Sequence, residues 1–207
     1  SHELKTPLAI ISANAEVLQY KGDGNEWTQN IIDQTKHMGK LINQLLVLAK
    51  LDEVQEKSEK QEADLKQLLE ETIEPFEEVA TQKKVTLKLH LEEGVTIRVN
   101  REQIAQLVSI LTENAAKYVN DGGKIVWRLT KTQHGAVLVV KNTTEKELPD
   151  TKRMFDRFYR SDSSRSSKTG GQGIGLSIAK KIVDSHKGSI TAKAGDGMVT
   201  FRVSLPK

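Results

Sequence analysis

The 207-residue chain has two Trp, three Tyr and four Phe, no Cys, and 31 Lys and Arg against 28 Asp and Glu. The lack of Cys excludes disulfide scaffolds, thiolate metal sites and cysteine nucleophiles. A net charge of +3 gives no ground for a nucleic-acid partner. No apolar run approaches the roughly 18 residues that span a bilayer, and the chain opens at Ser1 inside a motif. It is therefore expected to be a piece of a longer protein, with any membrane anchor upstream.

Leu4, Leu8, Ile11, Ala15 and Leu18 step by four and three, the spacing of a helical seam. The run Lys21-Gly22-Asp23-Gly24-Asn25 predicts a stop. A second helix follows, with Ile31, Met38, Leu41, Leu45 and Leu48 on one face. Two helices leave such a stripe half covered, so the pattern predicts an antiparallel hairpin over 1–58 completed by a second copy into a four-helix dimer. Residues 55–62 lack apolar side chains and mark the domain boundary, with the second domain expected over 64–207.

Asp64 is placed to cap a helix carrying Leu65, Leu68, Leu69, Thr72, Ile73 and Phe76. Val85, Leu87, Leu89 and Leu91 alternate as a half-buried strand, and Val95, Ile97 and Val99 predict a short second one. Helical spacing returns at Ile104, Leu107, Val108 and Leu111. Strands are predicted through Ile125–Leu129 and Ala136–Val140, a helix over 174–187, and a terminal hairpin around Gly195-Asp196-Gly197. The mixture without strict strand–helix alternation predicts an α+β sandwich with helices on one face.

Four segments carry chemistry. In Ser1-His2-Glu3-Leu4-Lys5-Thr6, an imidazole is a competent nitrogen nucleophile near neutral pH, and the neighbouring carboxylate can orient it and take its proton. Thr6 lies one helical turn from His2 and can position a water. Glu113-Asn114-Ala115-Ala116-Lys117-Tyr118 offers an amide oxygen suited to Mg²⁺, a cation for phosphate and a flat ring for a base. Phe155-Asp156-Arg157-Phe158-Tyr159-Arg160 concentrates aromatic rings that can pin a loop and leave Arg160 to reach an anion. Gly170-Gly171-Gln172-Gly173-Ile174-Gly175-Leu176 opens a helix, where small residues and free N–H groups admit phosphate; Lys168 and Arg165 lie just before it. A dinucleotide fingerprint needs a preceding strand, whereas Ser161–Thr169 is polar, and the Walker ending is absent. Taken singly, each segment also fits a plainer role: a frayed end, a solvated helix end, a satellite cluster or a hinge.

In this order the four segments resemble the catalytic region of bacterial sensor histidine kinases: the H box, the N box, the F box and the second glycine box. The resemblance spans Ser1 to Leu205. It implies a dimerisation and phosphoacceptor hairpin followed by a Bergerat-type ATP-binding α/β sandwich, with ATP and Mg²⁺ as ligands. It makes His2 the phosphoacceptor, Glu3 its acid/base, and Thr6 the residue supporting phosphatase activity. It gives Asn114 to Mg²⁺, Lys117 to phosphate, Tyr118 to the nucleotide pocket and Arg160 to the γ-phosphate. Gly171, Gly173, Gly175 and Leu176 become the phosphate side of the ATP lid. The implied partners are a second copy and a response-regulator receiver domain. The implied location is the cytoplasmic side of the cell membrane, with membrane contact only through upstream segments.

The chain departs from the family in one box. Where members carry Asp-x-Gly-x-Gly, it reads Asn142-Thr143-Thr144-Glu145-Lys146. Asn142 then stands in the adenine-binding position and accepts through a neutral oxygen, a weaker bond than a charged one. Ile110 replaces a second asparagine common in the N box. Two alternatives follow: a degenerate, non-catalytic dimer that binds a regulator, and a Bergerat-fold ATPase without phosphoacceptor function. Nearly half of the first hairpin helix is also expected to lie upstream of Ser1.

Overall fold

The computed structural model describes residues 2–23, 25–53, 59–145, 150–159 and 173–207. They fall into two compact units, Ser1–Glu53 and Val54–Lys207.

In the first unit, α1 (His2–Leu18) and α2 (Glu26–Glu53) are joined through a π turn at Gln19–Asp23. Gly22 has φ of 81° there, a left-handed conformation that a side chain would strain. Asn25 begins α2 by accepting from the N–H groups of Trp27 (3.0 Å) and Thr28 (3.2 Å), and the Thr28 hydroxyl accepts from Asn25 N–H at 2.9 Å. This reciprocal cap starts the helix where the turn chemistry ends. Leu8, Ala15, Ile32 and Leu48 form the buried seam with Thr28 and Thr35. The predicted stripe on α2 is divided: Leu48 is buried, whereas Ile31, Met38 and Leu45 are exposed. On α1, Leu8 and Ala15 are buried while Ile11 and Leu18 are exposed. The helices thus bury one side of their apolar surface against each other and present the other.

The second unit begins with β1 (Gln61–Asp64), antiparallel to β3 (Thr96–Val99). Its first two residues, Gln61 and Glu62, belong to the stretch without apolar side chains that marks the boundary in the sequence. Its only buried side chain is Ala63, so backbone pairing defines it and no apolar alternation reveals it. Asp64 caps α3 (Leu65–Ile73), accepting from the N–H groups of Lys66 and Gln67. Pro75 then starts α4 (Pro75–Gln82), because proline is tolerated at a helix's first position but not inside it. The single helical face expected through Phe76 is accordingly two helices.

A five-stranded sheet follows the order β2-β4-β5-β7-β6, with β2 (Thr86–Leu91), β4 (Lys124–Thr132), β5 (Gly135–Thr143), β6 (Ser189–Gly195) and β7 (Met198–Pro206). Only the β2–β4 pair is parallel. Asp196 and Gly197, with φ of 51° and 68°, make the two-residue turn between β6 and β7, whose twist suits a hairpin. One face of the sheet is apolar: Ile125, Trp127 and Leu129 on β4, Leu138 and Val140 on β5, Phe201 and Val203 on β7. Over this face lie α3, α5 (Arg101–Tyr118) and α6 (Gly175–Ser185), which contribute Leu69, Ile104, Leu107, Leu111, Ile178 and Ile182 to one core. The predicted helices-on-one-face sandwich is this arrangement.

A polar latch closes the end of the sandwich. His186, just past α6, accepts from Asn100 N–H through Nε2 at 3.1 Å, and its Nδ1 lies 2.7 Å from the Ile182 carbonyl. Only the neutral ring with its proton on Nδ1 satisfies both contacts. Burial, offset in part by the Ile182 carbonyl, and nearby Lys60 hold the imidazole below its ordinary pKa. Lys60 itself donates to the Ser185 carbonyl at 3.0 Å, tying the start of the sandwich to the end of α6.

Candidate active site

Asn142 is the polar member of an apolar row. The strand runs to Thr143, three residues past the expected end at Val140, so Asn142 sits inside β5. It follows Ala136, Leu138 and Val140 on the core face, is 1% exposed, and pairs across the ladder with Ile125 and Val199. A buried amide in such surroundings is costly unless its groups are satisfied. Its Nδ2 donates to the Thr143 carbonyl at 3.1 Å, which orients Oδ1 as the acceptor.

Asn114, Lys117 and Tyr118 lie in the last turns of α5 and are half-buried. Ile110, one turn before Asn114, faces the first residue of α6: a Cβ on Gly175 would lie 3.5 Å from the Ile110 side chain. Four-residue spacing puts Asn114 on that same side of α5. The Lys117 ammonium rests 5.0 Å from the centre of the Tyr118 ring. Leu176 is half-buried in the first turn of α6, whose N-cap Ile174 makes no side-chain capping hydrogen bond. The N-terminus of α6 therefore carries uncapped N–H groups suited to an anion.

Gly173 connects this helix to the aromatic segment. Its φ is 71°, and a Cβ there would come within 2.6 Å of the Tyr159 carbonyl oxygen. Its own carbonyl accepts from Phe158 N–H at 2.9 Å. Within 150–159, Met154 is buried and the Phe155 ring meets Phe201 edge-on at 6.3 Å, so these two residues pin the segment to the core. Phe158 is 62% exposed and takes no part in that anchoring, contrary to the expectation of a jointly pinned aromatic cluster. Arg153 covers the Tyr159 ring at 5.2 Å. Arg160 and Gly171 lie outside the described residues.

In the hairpin unit, His2, Glu3 and Thr6 fall in the first turns of α1. Thr6 is exposed, while the side chains of His2 and Glu3 lie outside the described residues. Within the sandwich, then, Asn142, Asn114, Lys117, Tyr118, Gly173, Gly175 and Leu176 occupy β5, the end of α5 and the start of α6. Two contributors were not singled out from sequence: the Phe158–Gly173 backbone tie and the α5–α6 approach at Ile110. The glycine at 173 is the sequence-visible trace of the first, since glycine favours the positive φ that the tie requires.

This arrangement fits a magnesium nucleotide. A buried amide acceptor stands in an apolar wall, a neutral oxygen and a cation lie at the end of α5, and a glycine step leads into an uncapped helix N-terminus. Among the described residues, no cluster of His, Asp or Glu could hold a metal without such a ligand.

A family model described as "Histidine kinase-, DNA gyrase B-, and HSP90-like ATPase" matches residues 99–207, and one described as "His Kinase A (phospho-acceptor) domain" matches residues 1–54. The Sensor protein DltS of Streptococcus agalactiae is 34% identical over 209 residues, covering 100% of this chain and 52% of that protein. The sensor histidine kinase RppB of Synechocystis is 32% identical over 214 residues, with 100% of this chain and 47% of its own length aligned. The chain spans about half the length of the curated relatives it matches. Among solved structures, the catalytic domain of histidine kinase ThkA superposes with a TM-score of 0.64 and 25% identity over 72% of this chain and 96% of that one. Full-length ShkA in complex with AMPPNP gives a TM-score of 0.83 over 99% of this chain and 44% of its own; at 21% identity it speaks for the fold alone. No helix among the described residues is long and apolar enough to cross a membrane. With a phosphoacceptor hairpin preceding a Bergerat-type sandwich, the chain belongs to the sensor histidine kinases and carries their catalytic core.

Proposed function

We propose that this core phosphorylates His2 from Mg-ATP and passes the phosphoryl group to an aspartate on a response-regulator receiver domain. The observation that carries this reading is Asn142, a buried acceptor in the otherwise apolar row of β5, the strand against which α5 packs. Asn142 receives the adenine amino group through Oδ1, and Tyr118 lines the pocket. Lys117, Arg160 and the Gly171–Leu176 segment hold the phosphates. Asn114 supplies an oxygen to Mg²⁺, which when bound neutralises phosphate charge.

A ring nitrogen of His2 attacks the γ-phosphorus, the bond to the bridging oxygen of ADP breaks, and Glu3 takes the proton released from the ring. The phosphoryl group then leaves the imidazole for the receiver carboxylate, and Thr6 positions water for the later hydrolysis. Positioning and charge neutralisation supply most of the acceleration in such transfers. The hairpin pairs with a second copy, and the regulator docks on its helices. The domains divide as 1–58 and 64–207 in function, with β1 as the structural lead-in to the second. In the full-length protein this part faces the cytoplasm from the cell membrane.

Incubation with γ-labelled ATP and Mg²⁺ tests the reading. Acid-labile label on the wild-type chain, absent from His2→Ala and from Asn114→Ala, is the expected result. No label on a folded wild-type chain, nor on one extended upstream, would favour the second reading: a regulator-binding dimer without catalysis. That reading draws on Thr144 and Lys146, which stand where the family has glycines.

A further inference from the structure

The chain's near-balanced charge conceals a strongly segregated surface. On the face of the five-stranded sheet away from the helices, strand register places Lys88, Lys124, Arg128, Lys141, Lys193 and Arg202, every one exposed. None of the residues in β2, β4, β5, β6 or β7 is acidic. Ion pairs such as those of Lys66, Arg101, Arg153 and Lys180 lie elsewhere. The closest acids in sequence, such as Glu92, Glu145 and Asp196, belong to the connections at the sheet's ends.

The cations form a lattice. Lys88, Lys141 and Lys193 occupy one cross-strand row through Val126 and Thr200, and Arg128 and Arg202 flank Val139 in the next. Neighbours within a row are two strand spacings apart, about 10 Å. That is close to the Debye length at about 0.1 M salt, so their fields add. Lysines on the edge strands β2 and β6 also discourage edge-to-edge pairing. Arg128, Lys141 and Arg202 lie on inner strands, where that purpose does not apply.

What the face lacks identifies its partner. Its strands carry no exposed large apolar side chain, and Trp127 and Phe201 point into the core. It has neither the aromatic platform on which single-stranded bases stack nor the apolar anchors around which protein interfaces concentrate their energy. Around the half-buried Val126 and Val139, what the face presents outward is positive charge distributed on long, adaptable stems. This suits a fluid surface that brings many mobile anions. We propose that the open face of the five-stranded sheet is an electrostatic docking surface for anionic phospholipid headgroups.

Vesicle co-sedimentation of the whole chain tests this, using phosphatidylcholine alone and phosphatidylcholine with about 30% phosphatidylserine. Binding is expected only to the anionic vesicles, weakening steeply as salt rises from about 0.1 M to about 0.5 M. Exchanging Lys88, Arg128, Lys193 and Arg202 for Gln should lower vesicle affinity by at least about tenfold. Lys66→Gln with Lys180→Gln, on the helix side, should bind as wild type. Should the fourfold variant misfold, Lys88→Gln with Lys193→Gln on the edge strands provides a milder version, expected to weaken binding in the same direction. Equal binding to both vesicles, retention of affinity in a folded sheet-face variant, or an equal loss in the helix-side variant would overturn the proposal. So would tighter binding to a single-stranded oligonucleotide than to anionic vesicles at equal phosphate concentration.

Discussion

The two units finish their cores differently. Among the described residues, the hairpin exposes Ile10, Ile11, Val17, Leu18, Tyr20, Trp27, Ile31, Met38 and Leu45, whereas the sandwich exposes only Val79 and Phe158 as large apolar side chains. A sheet covered by helices buries its apolar face within one chain. Two helices cannot, because whichever sides meet, a second apolar side remains. The difference separates a core completed within one chain from one that leaves apolar surface outside, the surface that the proposed subunit pairing would cover.

The largest expected effect breaks the self-sufficient half. Trp127 is fully buried on the sheet's core face. Trp127→Ala should cost about 3–5 kcal/mol, read by urea denaturation as loss of the sandwich's transition. In the hairpin, Ile32 and Ile31 sharpen the contrast. Ile32 is 3% exposed within one chain and Ile31 is 44% exposed. Ile32→Ala should cost about 2–4 kcal/mol whatever the protein concentration. Ile31→Ala should act through association, so its effect on the melting temperature should fade as protein is diluted.

A smaller effect is expected at Asn142, the proposed adenine acceptor. Asn142→Asp should tighten Mg-ATP about five- to tenfold in a calorimetric titration, because a charged acceptor makes a stronger bond than an amide oxygen. Asn142→Leu should abolish binding. The smallest effect belongs to the latch at His186. Its folded pKa is depressed below the ordinary value of about 6.5. The unfolded chain therefore takes up the proton first as pH falls, and the stabilisation, complete above that value, is lost below it until the folded pKa is reached. Melting temperature should drop from pH 7.5 to pH 5.5 more in wild type than in His186→Gln.

Periodicity made most of the sandwich legible, since alternating Ile125, Trp127 and Leu129 and the helical spacing of Ile104 to Leu111 are direct images of burial. It was silent on β1, whose pairing uses backbone groups that any side chain supplies. It also ran α3 into α4, because a proline at a helix's first turn leaves the apolar face intact. In the hairpin the apolar positions were visible, but not which of them meet within the chain: Ile31 and Ile32 are neighbours in sequence with opposite fates. For the site, Asn114, Lys117 and the glycine segment stood out by residue type. The anchoring of Gly173 to Phe158 depends on backbone geometry across separate segments, and one-dimensional spacing does not express it.

Sedimentation equilibrium on the intact chain tests the contrast between the halves most directly. Twice the 23.1 kDa chain mass is expected at micromolar concentration. Ile31→Asp with Met38→Asp should return the protein to single-chain mass, with the sheet's circular dichroism unchanged. A wild-type chain that stays at single-chain mass while folded, or a dimer that survives both substitutions, would contradict that contrast.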